Sequence, residues 1–182
     1  MHAQVQHRKQ LRRLEIPGHL RFLTFSCHQR LPLFENDKIK QVFVDRLMAL
    51  QIEKPFELFA WVLMPEHVHM ILRPRLPECS VADLMRALKR PTAERVLHRW
   101  KRLNAPVLAR LKDRSGLHFW QAGGGYDRNI IGESEFIEKM NYIHKNPCRR
   151  GLVTSATDWP FSSARWYAGI REGQVPISPF SM

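Results

Sequence analysis

Cysteine is scarce in this 182-residue chain. Its three cysteines, Cys27, Cys79 and Cys148, are far apart, odd in number and without a CxxC spacing. That argues against a disulfide framework and against a Cys-rich structural zinc site, and leaves reduced thiols in packing positions as the reading. Long apolar runs are lacking too. The best, Leu58 to Met64, falls far short of the roughly 20 residues a membrane helix needs. No apolar signal core follows the N-terminal Met1-His2-Ala3-Gln4-Val5-Gln6-His7-Arg8-Lys9, so the expected location is the cytoplasm, with no membrane partner. Internal repeats and low-complexity segments are also absent. Acidic residues are in short supply: 17 Asp and Glu stand against 29 Lys and Arg, a formal net charge of +12 with a pI near 10.3. An excess of that size favours a polyanion, of which nucleic acid is the commonest, and would place the chain at the nucleoid. Charge alone leaves open a merely basic surface with no specific partner. What is present in quantity is hydrophobic residue, 44% of the chain, enough for one well-buried domain with short extensions.

Residues 1–19 read as a basic arm carrying Arg8, Lys9, Arg12 and Arg13, either unstructured or laid along a phosphate backbone. Leu20 to Cys27 reads as a first strand. Asn36 or Asp37 caps a helix to about Gln51 whose apolar residues Ile39, Val42, Phe43, Leu47 and Leu50 share a face. Phe56 to Met64 and His67 to Arg73 read as strands, and the break Met64-Pro65-Glu66 is too short for a crossover helix, so they form an antiparallel hairpin. Ser80 and Asp83 resemble a capping box opening a helical region to about Asn104, interrupted near Pro91. Its cations include Arg86, Lys89 and Arg90, which serve either a solvated face or a DNA-contacting one. A fourth strand is expected around His118 to Gln121, before the Gly123-Gly124-Gly125 run. A helix from Ser134 to about Asn146 should stop at Pro147. The order β-α-β-β-α-β with one further helix predicts an α+β, ferredoxin-like fold: helices on one face of an antiparallel sheet, plus a C-terminal helix carrying Tyr142. One domain, 20–168, would be followed by a tail, 169–182, where periodicity is lost.

Two motifs carry chemistry. In a strand, side chains two apart share a face. Val68, Met70 and Leu72 therefore face the core, and His67, His69, Ile71 and Arg73 the opposite side, where two neighbouring imidazoles can bind one cation. An isolated His-x-His is more often a pair of surface histidines; a matching motif elsewhere reverses those odds. On the later helix, Phe136, Ile137, Met140 and Ile143 form the apolar stripe, while Tyr142 and Asn146, four apart, lie together on its flank. Two imidazoles and an amide oxygen would leave positions on Mg²⁺ or Mn²⁺ open for a scissile phosphate. A phenol, with an ordinary pKa near ~10, needs a cation or base to become a good nucleophile. Its attack on phosphorus would exchange one phosphodiester for another and conserve the bond for rejoining.

At this point the chain resembles the single-tyrosine transposases with a His-hydrophobic-His (HUH) motif, and among them the REP-associated tyrosine transposases. The likeness spans roughly Leu20 to Tyr167. It rests on Thr24-Phe25-Ser26-Cys27, on Trp61-Val62-Leu63-Met64-Pro65-Glu66-His67-Val68-His69, and on Phe119-Trp120-Gln121-Ala122-Gly123-Gly124-Gly125-Tyr126-Asp127-Arg128. Tyr142-Ile143-His144-Lys145-Asn146-Pro147 and Trp159-Pro160-Phe161-Ser162-Ser163 complete it. The resemblance implies a ferredoxin-like catalytic domain acting on single-stranded or hairpin DNA derived from REP-type palindromes. It implies His67, His69 and Asn146 as ligands of Mg²⁺ or Mn²⁺, Tyr142 as the nucleophile forming a 5′-phosphotyrosine, and a monomer in which Tyr142 acts within its own chain. Cys148 departs from the small aliphatic residue expected there, without bearing on the chemistry.

Around these positions the readings divide. Arg149 and Arg150, directly after the active helix, are read as phosphate contacts, and Arg128 joins them as a candidate DNA contact. Asp127 either adds an oxygen to the metal or pairs with Arg128 or another cation. Gly123 to Gly125 either admit DNA to the backbone or form a plain turn. Glu138, Lys139 and Lys145 are solvated charges or helpers at the site; His144, Trp159 and Trp166 are packing residues. Two other function classes compete. One is a catalytically silent nucleic-acid-binding module of the same fold, although no RNP-like Lys/Arg-Gly-Phe/Tyr pattern is present. The other is a zinc hydrolase using His67, His69 and Asp127, which would need no tyrosine.

Overall fold

The computed structural model describes residues 15–114, 116–123 and 125–180. Arg8, Lys9, Arg12 and Arg13 lie outside the described residues. The elements run β1 (Leu20–Ser26), α1 (Asp37–Glu53), β2 (Phe56–Leu63), β3 (His67–Pro74), α2 (Val81–Arg102), α3 (Leu108–Leu111), β4 (Lys112–Asp113), β5 (Gly116–Leu117), β6 (Tyr126–Ile130), α4 (Gly132–Arg149) and α5 (Ala164–Tyr167). Four strands form one antiparallel sheet in the order β2-β3-β1-β6. This is the expected ferredoxin-like arrangement, and it puts the histidine strand β3 at the centre of the sheet.

Local chemistry explains the helix starts. Asn36 accepts a hydrogen bond from the Lys38 amide, and Ser80 and Asp83 close a reciprocal capping box; each satisfies amides that a first helical turn leaves without a partner. Pro91 does not interrupt α2 as expected; the helix is continuous through it. A helical proline deprives the carbonyl four residues earlier of its donor. Here that carbonyl, Ala87, accepts from Arg46 Nε of α1 at 2.8 Å. A tertiary hydrogen bond compensates for the local defect. Likewise α4 runs past the expected stop and includes Pro147 in its last turn.

The expected fourth strand was misplaced. Residues 118–121 give only a single bridge, Cys27 to Trp120, and the sheet's fourth strand is β6. The reason is burial. Phe119 is buried against Phe34 and Trp100 and so mimics a strand signal. β6 is a half-exposed edge strand whose sequence, Tyr-Asp-Arg-Asn-Ile, has almost no apolar alternation.

Both faces of the sheet are covered. Leu23, Phe25, Val68, Met70 and Leu72 pack with Phe43 and Leu47 of α1 and Leu84 and Leu88 of α2. On the other side Phe22, Phe59, Val62 and Ile71 pack with Phe136 and Ile143 of α4. The tail is part of this packing: Val175 and Ile177 join the first core, and Phe180 stacks on Phe136. The three cysteines are free thiols. Among the described residues, no helix is long and apolar enough to cross a membrane.

Candidate active site

β3 sets the two imidazoles side by side on the α4 face. Strand register places Thr24 of β1 opposite His69 and Ser26 opposite His67. The ring nitrogens are then used in an ordered way. His67 Nδ1 lies 3.0 Å from Glu66 Oε1 and His69 Nδ1 lies 2.7 Å from Thr24 Oγ1. The carboxylate accepts, so it fixes a proton on His67 Nδ1 and leaves Nε2 as a bare lone pair. Both Nε2 atoms point at each other across 3.0 Å.

Both histidines are buried, at 4% and 5% exposure, and both are held as neutral bases. Burial lowers the His67 pKa against the opposing pull of Glu66. Burial, followed by the charges of His67 and Arg30, pushes His69 down to about 3. Burial also works to raise the Glu66 carboxyl, but its hydrogen bond to Arg150 and the neighbouring charges win, and its pKa is lowered. Two neutral imidazoles whose Nε2 atoms converge offer two of the donors a divalent cation takes. Two nitrogens about 2.1 Å from one ion and at right angles to each other stand about 3 Å apart, which is the spacing found here. The residues fit a metal.

Helix α4 supplies the other wall. Tyr142 is 39% exposed, and its ring centroid lies 5.3 Å from that of His69 and 6.2 Å from that of Phe22. Asn146, one turn on, is buried. Tyr142, Asn146, His67 and His69 all line one cleft of about 450 Å³, together with Phe22, Thr24, Tyr126 and three cations, Arg30, Lys139 and Arg150. The Tyr142 ring therefore lines the same cleft as the imidazole pair, edge-to-face against His69. The Arg149 guanidinium sits 5.5 Å from the Tyr142 ring centre. A phosphodiester is the chemical group that suits this cleft: anionic, and flanked by rings on which bases can stack.

Other expected contacts divide. Arg86, Lys89 and Arg90 are brought together, but in a separate hollow of about 350 Å³ with Trp120 and Gly123. Arg128 pairs with Glu135 at 3.0 Å. Arg150 donates to Glu66 at 2.6 Å. Asp127 is not a metal ligand. Its strand position opposite Leu23 puts it on the α1–α2 face, where Arg21 holds it at 2.6 Å. Gly125 has a structural reason unconnected with DNA: with φ +74°, a Cβ there would lie 2.1 Å from the Thr24 carbonyl oxygen. His144 packs as expected, its Nε2 2.8 Å from Ser163 Oγ. The sequence reading missed the orienting roles of Glu66 and Thr24 and the presence of Arg30 and Tyr126 in the cleft. Glu66 adjoins His67 and could have been noticed; Thr24 is placed by cross-strand register, which no local pattern reveals.

The family model described as "Transposase IS200 like" matches residues 19–146, which includes β1, both histidines, Tyr142 and Asn146. The chain belongs to the IS200-like transposase family. It is a DNA-processing enzyme of that class. It is similar to the REP-associated tyrosine transposase of Escherichia coli (strain K12), at 26% identity over 168 residues covering 91% of this chain and 87% of the relative. Its fold matches a solved REP-associated tyrosine transposase bound to a REP hairpin, with a TM-score of 0.66 over 94% of this chain and 90% of that one, at 24% identity. In this transposase the family match and the cleft coincide: the matched segment ends on Asn146, the last of the four expected site residues.

Proposed function

We propose that this transposase cleaves and rejoins single-stranded DNA at a palindrome-derived, REP-type hairpin, using Tyr142 as nucleophile and a divalent ion, Mg²⁺ or Mn²⁺, held by His67, His69 and Asn146. The observation that carries the reading is the placement of the half-exposed Tyr142 ring 5.3 Å from His69, in the cleft into which both imidazoles face. When bound, the ion would neutralise charge developing on the phosphate oxygens. The chain's own residues do the rest. Tyr142 Oη forms a bond to phosphorus as the P–O3′ bond breaks, leaving a 5′-phosphotyrosine and a free 3′-hydroxyl. Attack by a 3′-hydroxyl on that linkage reverses the exchange, so joining needs no ATP. Glu66 fixes the tautomer and orientation of His67, and Thr24 orients the His69 ring. Tyr126, 52% exposed, offers aromatic surface to flanking bases.

Because one chain supplies both walls of the cleft, the enzyme is read as a monomer with Tyr142 acting in cis. The catalytic domain is assigned to residues 20–168, with 1–19 as a DNA-contacting arm through Arg8, Lys9, Arg12 and Arg13 and 169–182 as a C-terminal extension that packs onto its core through Val175, Ile177 and Phe180. Arg86, Lys89, Arg90, Arg128 and Arg149 are assigned to the DNA backbone, and the protein to the cytoplasm at the nucleoid. The hairpin assignment is supported by the kinship to REP-associated transposases and by the basic, ring-lined cleft.

The test is incubation with end-labelled hairpin DNA and Mg²⁺ or Mn²⁺. A denaturation-resistant protein–DNA adduct is expected, absent in Tyr142→Phe and with chelator present. Hairpin binding without cleavage would make the chain a silent binding module. Cleavage surviving Tyr142→Phe would make it a hydrolase.

A further inference from the structure

Arg150 was expected to touch phosphate, yet its Nη1 donates to Glu66 Oε1 at 2.6 Å, and the same oxygen accepts from His67 Nδ1 at 3.0 Å. The Glu66 side chain is 9% exposed, and its next nearest cation, Arg30, stands at 3.9 Å. Tyr142, Asn146 and Arg150 recur every four residues, so they share one stripe about 80° wide along α4 and its C-cap. Glu66 immediately precedes the histidine strand. One buried carboxylate therefore touches both walls of the cleft.

We propose that Glu66 and Arg150 form a latch that fixes the position of the tyrosine helix relative to the histidine strand. They are a positioning pair that holds Tyr142 and Asn146 opposite His67 and His69. The inference rests on the reading of Tyr142 as nucleophile given above. Its physical basis is directionality. The contacts of Phe136 and Ile143 with the sheet are apolar and set how deeply α4 packs, but apolar burial is non-directional and tolerates sliding. His144 ties α4 to Ser163, whose amide and hydroxyl bond the Trp61 carbonyl of β2; that link does not reach β3. A charge-assisted hydrogen bond at the far end of the helix does. It also opposes displacement of a helix whose reactive side chain must meet phosphorus within a few tenths of an ångström.

The full-length chain is compared with Glu66→Gln, Arg150→Met and the double variant. Four measurements are made: amide exchange at residues 146–152 without metal or DNA, hairpin affinity and its salt slope, adduct-forming rate at saturating hairpin and Mn²⁺, and Mn²⁺ affinity by calorimetry. A latch predicts exchange at the end of α4 about tenfold faster in either variant. Hairpin affinity and salt slope should hold in Arg150→Met while the adduct rate falls at least about tenfold. The double variant should be no slower than the worse single one, because the two residues act as one unit. Glu66→Gln alone should also weaken Mn²⁺ about tenfold, through His67. Unchanged exchange, or rate losses that multiply in the double variant, would overturn the latch. So would an Arg150→Met variant with weaker hairpin binding and a salt slope reduced by about one, the signature of a phosphate contact. If the parent chain forms no adduct, the proposed reaction fails, and the exchange measurements decide the latch by themselves.

Discussion

Single residues here are held by contacts that leave little slack. Gly125 is the clearest case. Its positive φ and the 2.1 Å approach that a Cβ would make to the Thr24 carbonyl oxygen mean that Gly125→Ala must push β6 away from β1. A loss of about 2 kcal/mol or more is expected in chemical denaturation, together with weaker Mn²⁺ binding because Thr24 orients His69. His144 makes a pH prediction. Burial depresses its pKa from 6.5 to about 4 in the folded protein, so folding favours the neutral ring. Its contribution is whole above pH 6.5 and is lost as pH falls from 6.5 to about 4, where the unfolded chain takes up the proton first. The loss is on the order of 3 kcal/mol. His69, pushed down to about 3 by burial and by the charges of His67 and Arg30, adds to the same trend. Denaturation midpoints measured from pH 7.5 to pH 4 should hold down to about pH 6.5 and fall from there to pH 4, and His144→Gln should flatten the fall; an unchanged profile in that variant would remove His144 from the account.

At the level of elements, α2 shows how a helix survives an internal proline. The Ala87 carbonyl freed by Pro91 is satisfied by Arg46 from α1, so the two helices are joined at the point where one is weakest. Arg46→Met should leave that carbonyl without a donor and cost about 1–3 kcal/mol. Adding Pro91→Ala should recover most of the loss by restoring the helical amide. If Pro91→Ala stabilises the parent and the variant equally, the hydrogen bond contributes nothing specific. The same comparison explains why the expected break in α2 did not occur: the local rule about proline is sound, but its penalty depends on whether a neighbour supplies the missing donor. β6 makes the converse point. An edge strand needs only one covered face, so Tyr126–Ile130 carried too little hydrophobic pattern to be seen, whereas Phe119 and Trp120, buried for other reasons, imitated a strand.

For the whole molecule, the decisive quantity is charge. With a net +12 and a cleft bordered by Arg30 and Lys139, hairpin affinity should fall steeply with salt as counterions are released. If the basic arm lies on DNA, replacing Arg8, Lys9, Arg12 and Arg13 with alanine should lower the slope of log affinity against log salt by about three, at roughly 0.7 per single-strand contact. No change in slope would detach the arm from binding.

Much of this was readable along the chain, because helix caps, alternating strands and the spacing of His67 with His69 or Tyr142 with Asn146 are all properties of residues within four positions of one another. Period and propensity therefore determined the first three strands, the helices α1, α2 and α4 and the ferredoxin-like class, though not the segment that forms the fourth strand. What they could not determine was which distant residues would meet. The pairing of Asp127 with Arg21, the engagement of Arg150 by Glu66, the Thr24 hydroxyl on His69 and the rescue of Pro91 by Arg46 all join positions 40 or more apart. Only close packing of the sheet between its helices decides such contacts, since a hydrogen bond is won or lost over a fraction of an ångström that no local pattern encodes.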